Sequence, residues 1–170
     1  MGIEPAAIDP AAVEEAPRPR EQPAALTTRL ARAKAAAAAA RHGGAFVLAA
    51  DTVVALGRRV LPKAETEAEA RQCLGLLSGR RHRVLTAVCL IAPGGRRTQR
   101  LVATTVRFKR LEAAEVDAYM ASGEWRGKAG GYAIQGRAAA FVPWIGGSHS
   151  NVVGLPLFET LALLRAQGYR

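Results

Sequence analysis

The sequence predicts an α/β fold, mixed α+β in the broad sense, with a mixed sheet flanked by helices. Three observations carry that reading. Apolar repeats of helical period alternate with runs of strand period. One connection, Gly57-Arg58-Arg59, has the length of a hairpin turn, which a purely parallel sheet would not contain. At 170 residues and 49% hydrophobic content, residues 1–170 suffice for one domain with a sizeable core.

Residues 1–22 hold four prolines by Pro19 and read as extended or irregular, with Glu14-Glu15 a solvated acidic pair. A helix follows from Pro23, with Thr27 or Thr28 as cap, Leu26 and Leu30 at i, i+4, alanines from Ala35 to Ala40, and Gly43-Gly44 as its stop. Lys34 lies one turn beyond Leu30, near the buried face, where a lysine either snorkels outward or points into a cleft. Phe46-Val47-Leu48 reads as a buried strand ending at Asp51, and Val53 to Leu56 with Val60-Leu61 flank the hairpin turn. Thr66 and Glu69 have capping-box spacing before a helix striped by Ala70, Cys73, Leu74 and Leu77 and stopped at Ser78-Gly79.

Val84 to Ile91 is an apolar strand, Pro93-Gly94-Gly95 a turn, and Gln99 to Phe108 a returning strand. A third helix spans Ala113 to Ala121. Gly123 to Gly136 is a glycine-rich loop, with Tyr132-Ala133-Ile134 as a short strand inside it. Ala138 to Ile145 is a further strand, Gly146 to Asn151 a polar loop, and Leu157 to Ala166 a C-terminal helix after Pro156.

Composition narrows the function classes. The net charge of +10 invites a polyanion. The basic residues lie along the whole chain, however, with no block of like charge and no aromatic-interleaved stripe, so nucleic-acid binding ranks well below small phosphorylated ligands. Two cysteines in apolar runs and three scattered histidines match neither a disulfide framework nor a zinc site, and point to a reducing compartment. No run approaches a membrane span and no signal-peptide core is present, so the expected location is the cytoplasm.

Against an arginine-rich background only four lysines stand, Lys34, Lys63, Lys109 and Lys128, and a compact ammonium suits a point contact to phosphate. Asp51 is the one acidic residue between Glu21 and Glu65, and burying it requires a cation, a metal or a donor. From its own surroundings it is equally a turn residue or an active carboxylate. Gln135, in a glycine loop, can both donate and accept as base recognition requires.

These residues sit in a wider pattern. Ala50-Asp51-Thr52-Val53-Val54, Leu77-Ser78-Gly79-Arg80 with His82 and Val84, the segment Gly127 to Gly136, and Ser150 to Leu157 resemble, in order, the motifs of the Maf family of nucleoside triphosphate pyrophosphatases; Arg29 to Ala35 is similar to its first helix. The resemblance implies a Maf/ITPase-like mixed sheet with a cleft between two lobes. It implies hydrolysis of nucleoside triphosphates to monophosphate and pyrophosphate with a divalent metal, Mg or Mn, as a house-cleaning activity. It assigns Asp51 as proton acceptor, Lys34, Lys63 and Glu15 to the substrate, and Thr52 and Gln135 to base selection, in the branch preferring dTTP and UTP. Asp51 and Glu15 are its candidates for the metal. A homodimer is left open. Family members also carry a first strand and a Ser-x-Ser-Pro-Arg-Arg phosphate loop ahead of the segment resembling Gly2 to Pro10. The expectation is therefore an N-terminally shortened domain, with a non-catalytic nucleotide-binding or regulatory relic of the same fold as the alternative. Smaller departures are Ala64, where proline is usual, and Glu14, where aspartate is commoner.

Overall fold

The computed structural model describes residues 2–170. Residues 2–22 run without helix or strand, as their prolines dictate. Helix α1 (Pro23–Ala39) starts at its proline, whose fixed φ suits the first helical position. The threonine cap expected from the sequence is not formed. Thr27 and Thr28 lie inside the helix, their hydroxyls donating to the carbonyls of Pro23 (2.6 Å) and Ala24 (2.7 Å). The helix also stops at Ala39, ahead of Gly43-Gly44.

Strand β1 (Val47–Leu56) is a single ten-residue strand. Asp51 therefore stands in mid-strand, and the expected strand end at this residue is corrected. A two-residue turn, Gly57-Arg58, with Gly57 at φ +63°, leads to β2 (Arg59–Leu61). Then come β3 (Lys63–Ala64) and α2 (Glu67–Leu77), where Thr66 and Glu69 form the predicted capping box. β4 (Arg81–Ile91) and β5 (Arg97–Arg107) make a long hairpin, followed by α3 (Ala113–Ser122).

The glycine-rich stretch departs from expectation. Its strand is β6 (Lys128–Ala129), paired with β3, while Tyr132 and Ala133 are buried irregular chain and Ile134 opens a turn. The strand expected over Ala138 to Ile145 is a 3₁₀ turn at Arg137–Phe141, where three consecutive alanines favour helical dihedrals, and then β7 (Trp144–Gly146). Inside the expected polar loop, Ser148 accepts a hydrogen bond from the Asn151 amide (3.2 Å) and so caps α4 (His149–Val153). α5 (Leu157–Ala166) follows Pro156 with the predicted bounds.

The strand order is β2-β1-β4-β5-β7, with β3-β6 as a separate pair. The fold is mixed α/β as expected, but the expected mixed sheet is corrected: every pairing among the described residues is antiparallel, with short hairpins joining β1 to β2 and β4 to β5. α1 covers one face, setting Leu26 and Leu30 on Val53, Ala55 and Leu85, and Ala31 and Ala35 on Ala87 and Cys89. The opposite face carries the larger core, including Leu74, Leu77, Phe108, Tyr119, Trp125 and Tyr132. α5 adds Leu163 and Leu164 over Val88 and Leu90. β4 is buried from both sides, so Val84 to Leu90 is continuous burial rather than alternation.

One consequence positions the site. β2 pairs only with Val54–Leu56, which leaves the edge of β1 around Asp51 without a strand partner from that sheet. The cleft opens there.

Candidate active site

Asp51 is 5% exposed and projects from β1 toward α1. Lys34, at the α1 position read as ambiguous, points into the cleft. Its Nζ donates to Asp51 Oδ1 at 2.6 Å and to Glu15 Oε1 at 2.6 Å. Lys63 Nζ donates to the other oxygen of Glu15, Oε2, at 2.8 Å. The order along the network is Asp51, Lys34, Glu15, Lys63, with charges alternating. From local context Glu15 is a solvated acid; the irregular N-terminal segment instead delivers it between two ammonium groups.

The charges follow from burial and pairing. Removal from water pushes the Asp51 carboxyl above the usual aspartate value, and the Lys34 hydrogen bond opposes that rise. Burial works to lower the Lys34 ammonium, but its bonds to Asp51 and Glu15 outweigh it and hold the pKa above the ordinary value. Hydrogen bonds from Lys34 and then Lys63 depress the Glu15 carboxyl.

A cavity of about 240 Å³ opens beside this network, lined by Lys34, Asp51, Thr52, Lys63, Lys128 and Gln135 among others. Every residue expected at the site except Glu15 lines it, and Glu15 lines the adjoining cavity that shares Asp51, Thr52 and Lys63. Three of the four lysines in the chain meet here. Lys128 is the one given no place at the site by sequence reasoning, although its rarity in an arginine-rich chain was the available signal.

The segment opposite β1 is held by distant groups. Gly130 donates to the Pro62 carbonyl at 2.9 Å, the Ala133 amide to Tyr119 Oη at 3.1 Å, and Tyr132 Oη lies 2.8 Å from His82 Nε2. Gly130 and Gly131 have φ of +69° and +70°. A Cβ on Gly130 would come 2.9 Å from Val54 Cγ1, and one on Gly131 would come 3.1 Å from the Ala70 backbone. His82 is buried and neutral, its pKa brought down to about 4 by burial.

Thr52 heads a relay with a defined direction. Thr86 Oγ1 donates to the Asn151 carbonyl at 2.9 Å, which uses its single proton. Thr52, 2.8 Å away, is then the donor to Thr86. Asn151 is fully buried and anchors the far end, its Nδ2 donating to Val84 O (3.1 Å) and Thr104 Oγ1 (3.0 Å). Thr86 and Asn151 carry no role in the sequence reading. Asn151 lies in a motif there but reads locally as loop.

Among the described residues no three His, Cys, Asp or Glu side chains converge on one point. The donor set near the cavity is Asp51 with Glu15, two carboxylates drawn to the same ammonium. No helix is long and apolar enough to cross a membrane among the described residues.

Comparison with known proteins adds to this geometry. A family model described as Maf-like protein matches residues 1–167. A protein of Rhodospirillum rubrum named dTTP/UTP pyrophosphatase is 62% identical over 170 residues, covering 100% of this chain and 81% of the relative. One of the same name from Paramagnetospirillum magneticum is 64% identical over 169 residues, covering 99% and 89%. A third, from Caulobacter vibrioides, is 59% identical over 170 residues, covering 100% and 88%.

Proposed function

This chain belongs to the Maf-like protein family, and from that premise we propose that it hydrolyses dTTP and UTP to the nucleoside monophosphate and pyrophosphate. The observation that carries the reading is the alternating network of Asp51, Lys34, Glu15 and Lys63 at the mouth of the cavity. The shared name of the relatives favours an enzyme over a non-catalytic relic.

Cleavage between the α- and β-phosphates needs a water activated beside a carboxylate and cations to meet charge on the phosphate oxygens. Asp51 serves as the base. Lys34 orients its carboxylate and opposes the rise that burial imposes on its pKa. Lys34, Lys63 and Lys128 present three ammonium groups toward the triphosphate. Thr52 and Gln135 face the base, with Gln135 on a segment fixed by Tyr119 and His82.

A divalent ion suits the donor set. Mg²⁺ commonly takes one or two protein carboxylates and completes its shell with substrate phosphates and water, and Asp51 with Glu15 are the two that would hold Mg²⁺ or Mn²⁺. When bound, such an ion neutralises charge on phosphate oxygens. The enzyme acts in the cytoplasm on a free nucleotide.

The test is pyrophosphate release from a nucleotide panel with Mg²⁺ or Mn²⁺. Turnover of dTTP and UTP is expected, with a loss of about 10²-fold or more in Asp51→Asn, the scale of general-base contributions. Equal rates for the two proteins would remove Asp51 from the mechanism.

A further inference from the structure

The net charge of +10 is not spread evenly over the molecule. Residues 70–111 contain nine arginines, one lysine and no Asp or Glu, a surplus of ten. The remaining 128 residues contain 14 basic and 14 acidic side chains and balance. The whole surplus therefore lies on α2 and the β4–β5 hairpin with its flanks. Arg71 pairs with Glu67 and Asp117, and Lys109 with Glu115. The other eight arginines are exposed, and none forms an ion pair among the described residues.

Register gathers part of this charge on one face. Arg81 stands directly opposite Arg107 across β4 and β5, and Arg107 opposite Trp144 across β5 and β7. Arg83 follows two residues along β4, on the same face. Like charges directly opposed weaken a sheet, and Arg81 and Arg107 are such a pair. Trp144 is 45% exposed, and its ring lies against Gly146, where a Cβ would come within 2.4 Å of it. The Arg81 guanidinium sits 5.2 Å from the ring centroid. Toward the hairpin the face continues through exposed Ala103 to Leu101, which is 41% exposed. Folding thus builds the aromatic and basic surface that the linear sequence lacks.

We propose that this β4–β5–β7 face binds a single-stranded polynucleotide. Arg81, Arg83 and Arg107 meet phosphates, and the Trp144 indole is a platform for one base. A duplex keeps its bases stacked and offers nothing to an exposed indole on a strand, whereas a single strand offers both a π-face and a charged backbone. The surface is separate from the cleft, since none of these four residues lines it.

Fluorescence anisotropy with a labelled 12-residue oligouridylate tests this on the full chain. Three phosphate contacts at about 0.7 each predict a slope near −2 for log affinity against log salt. Arg107→Glu should weaken binding at least tenfold while leaving the urea midpoint unchanged or raised, because it sets a carboxylate beside Arg81. Trp144→Ala should weaken binding about tenfold. Arg170→Glu, the same charge change at the chain's end, should alter it less than twofold. Pyrophosphate release from UTP should be equal in all of them. The proposal is overturned by no binding at 50 mM salt, by equal losses in Arg107→Glu and Arg170→Glu, or by tighter binding to a duplex of the same length. Capture by phosphatidylserine vesicles without oligonucleotide binding would overturn it equally.

Discussion

Lys34 is the ammonium that touches both carboxylates of the site, so Lys34→Met isolates what its charge does there. Methionine keeps most of the apolar stem that α1 projects into the cleft and removes the donor. Glu15 is 41% exposed and retains Lys63, whereas Asp51 becomes a carboxylate with 5% of its surface exposed and no cation bonded to it. Removing one partner of a buried pair costs about 3–5 kcal/mol. The Lys34 side chain is 18% exposed and the cavity admits water, so the lower end applies, about 3 kcal/mol at pH 7.

Protonation sets a ceiling on that loss. Neutralising an aspartate at pH 7 takes about 1.36 kcal/mol for each of roughly three pH units, or about 4 kcal/mol; at pH 5 it takes about 1.5. Burial already holds the folded pKa of Asp51 above its unfolded value, and removing Lys34 raises it further. A carboxyl raised in this way favours the folded state at low pH, and that benefit is lost as pH rises through the folded pKa. Urea unfolding should therefore show the variant about 3 kcal/mol weaker than the parent at pH 7 and no more than about 1.5 weaker at pH 5. Lys34→Met with Asp51→Asn should recover most of the loss at pH 7. A penalty equal at both pH values, or under about 1 kcal/mol at pH 7, would refute the account of Asp51 as a buried charge held by Lys34.

Three further outcomes follow from the geometry. Gly131→Ala should cost about 2–3 kcal/mol in urea unfolding, because φ is +70° and the new Cβ would meet the Ala70 backbone; a loss under about 0.5 would contradict the packing described. Gln135→Leu should lower kcat/KM for UTP about tenfold, the worth of one hydrogen bond to the base, and unchanged values would remove Gln135 from base recognition. His82, whose pKa falls to about 4 in the folded state, contributes stability that is complete above its unfolded pKa near 6.5 and is lost as pH falls toward 4. About 3 kcal/mol of acid sensitivity over that window should disappear in His82→Phe, measured as urea midpoint against pH.

The parts of the molecule that were legible in the sequence are those whose signals are local. Thr66 and Glu69 cap α2 across three residues, and Pro156 sets the start of α5. Tyr132 to Ile134 reads as a strand because apolar residues run together. Its conformation is fixed instead by hydrogen bonds spanning 14 and 50 residues, from Ala133 to Tyr119 and between Tyr132 and His82. Asp51 is ambiguous for the same reason. Its lysine lies 17 residues away on α1, and the second carboxylate arrives from a proline-rich segment with no periodicity to read. Lys34 was the exception, since its spacing from Leu30 already placed it near a buried face. The thrice-repeated alanine at Ala138–Ala140 suits a strand by hydrophobicity and a helical turn by propensity, and propensity prevails.

The directed relay through Thr86 has a consequence for discrimination among bases. Because the Thr52 proton is committed to Thr86, and the Thr86 proton to the Asn151 carbonyl, the Thr52 oxygen has only lone pairs to offer a ligand. If Thr52 meets the ring, as its place in the cavity supports, it welcomes the protonated N3 of uracil or thymine and repels the bare N3 of cytosine. A fully buried asparagine two residues removed from the ligand would then act as a filter on pyrimidine chemistry, sensing where a hydrogen is rather than how large the base is.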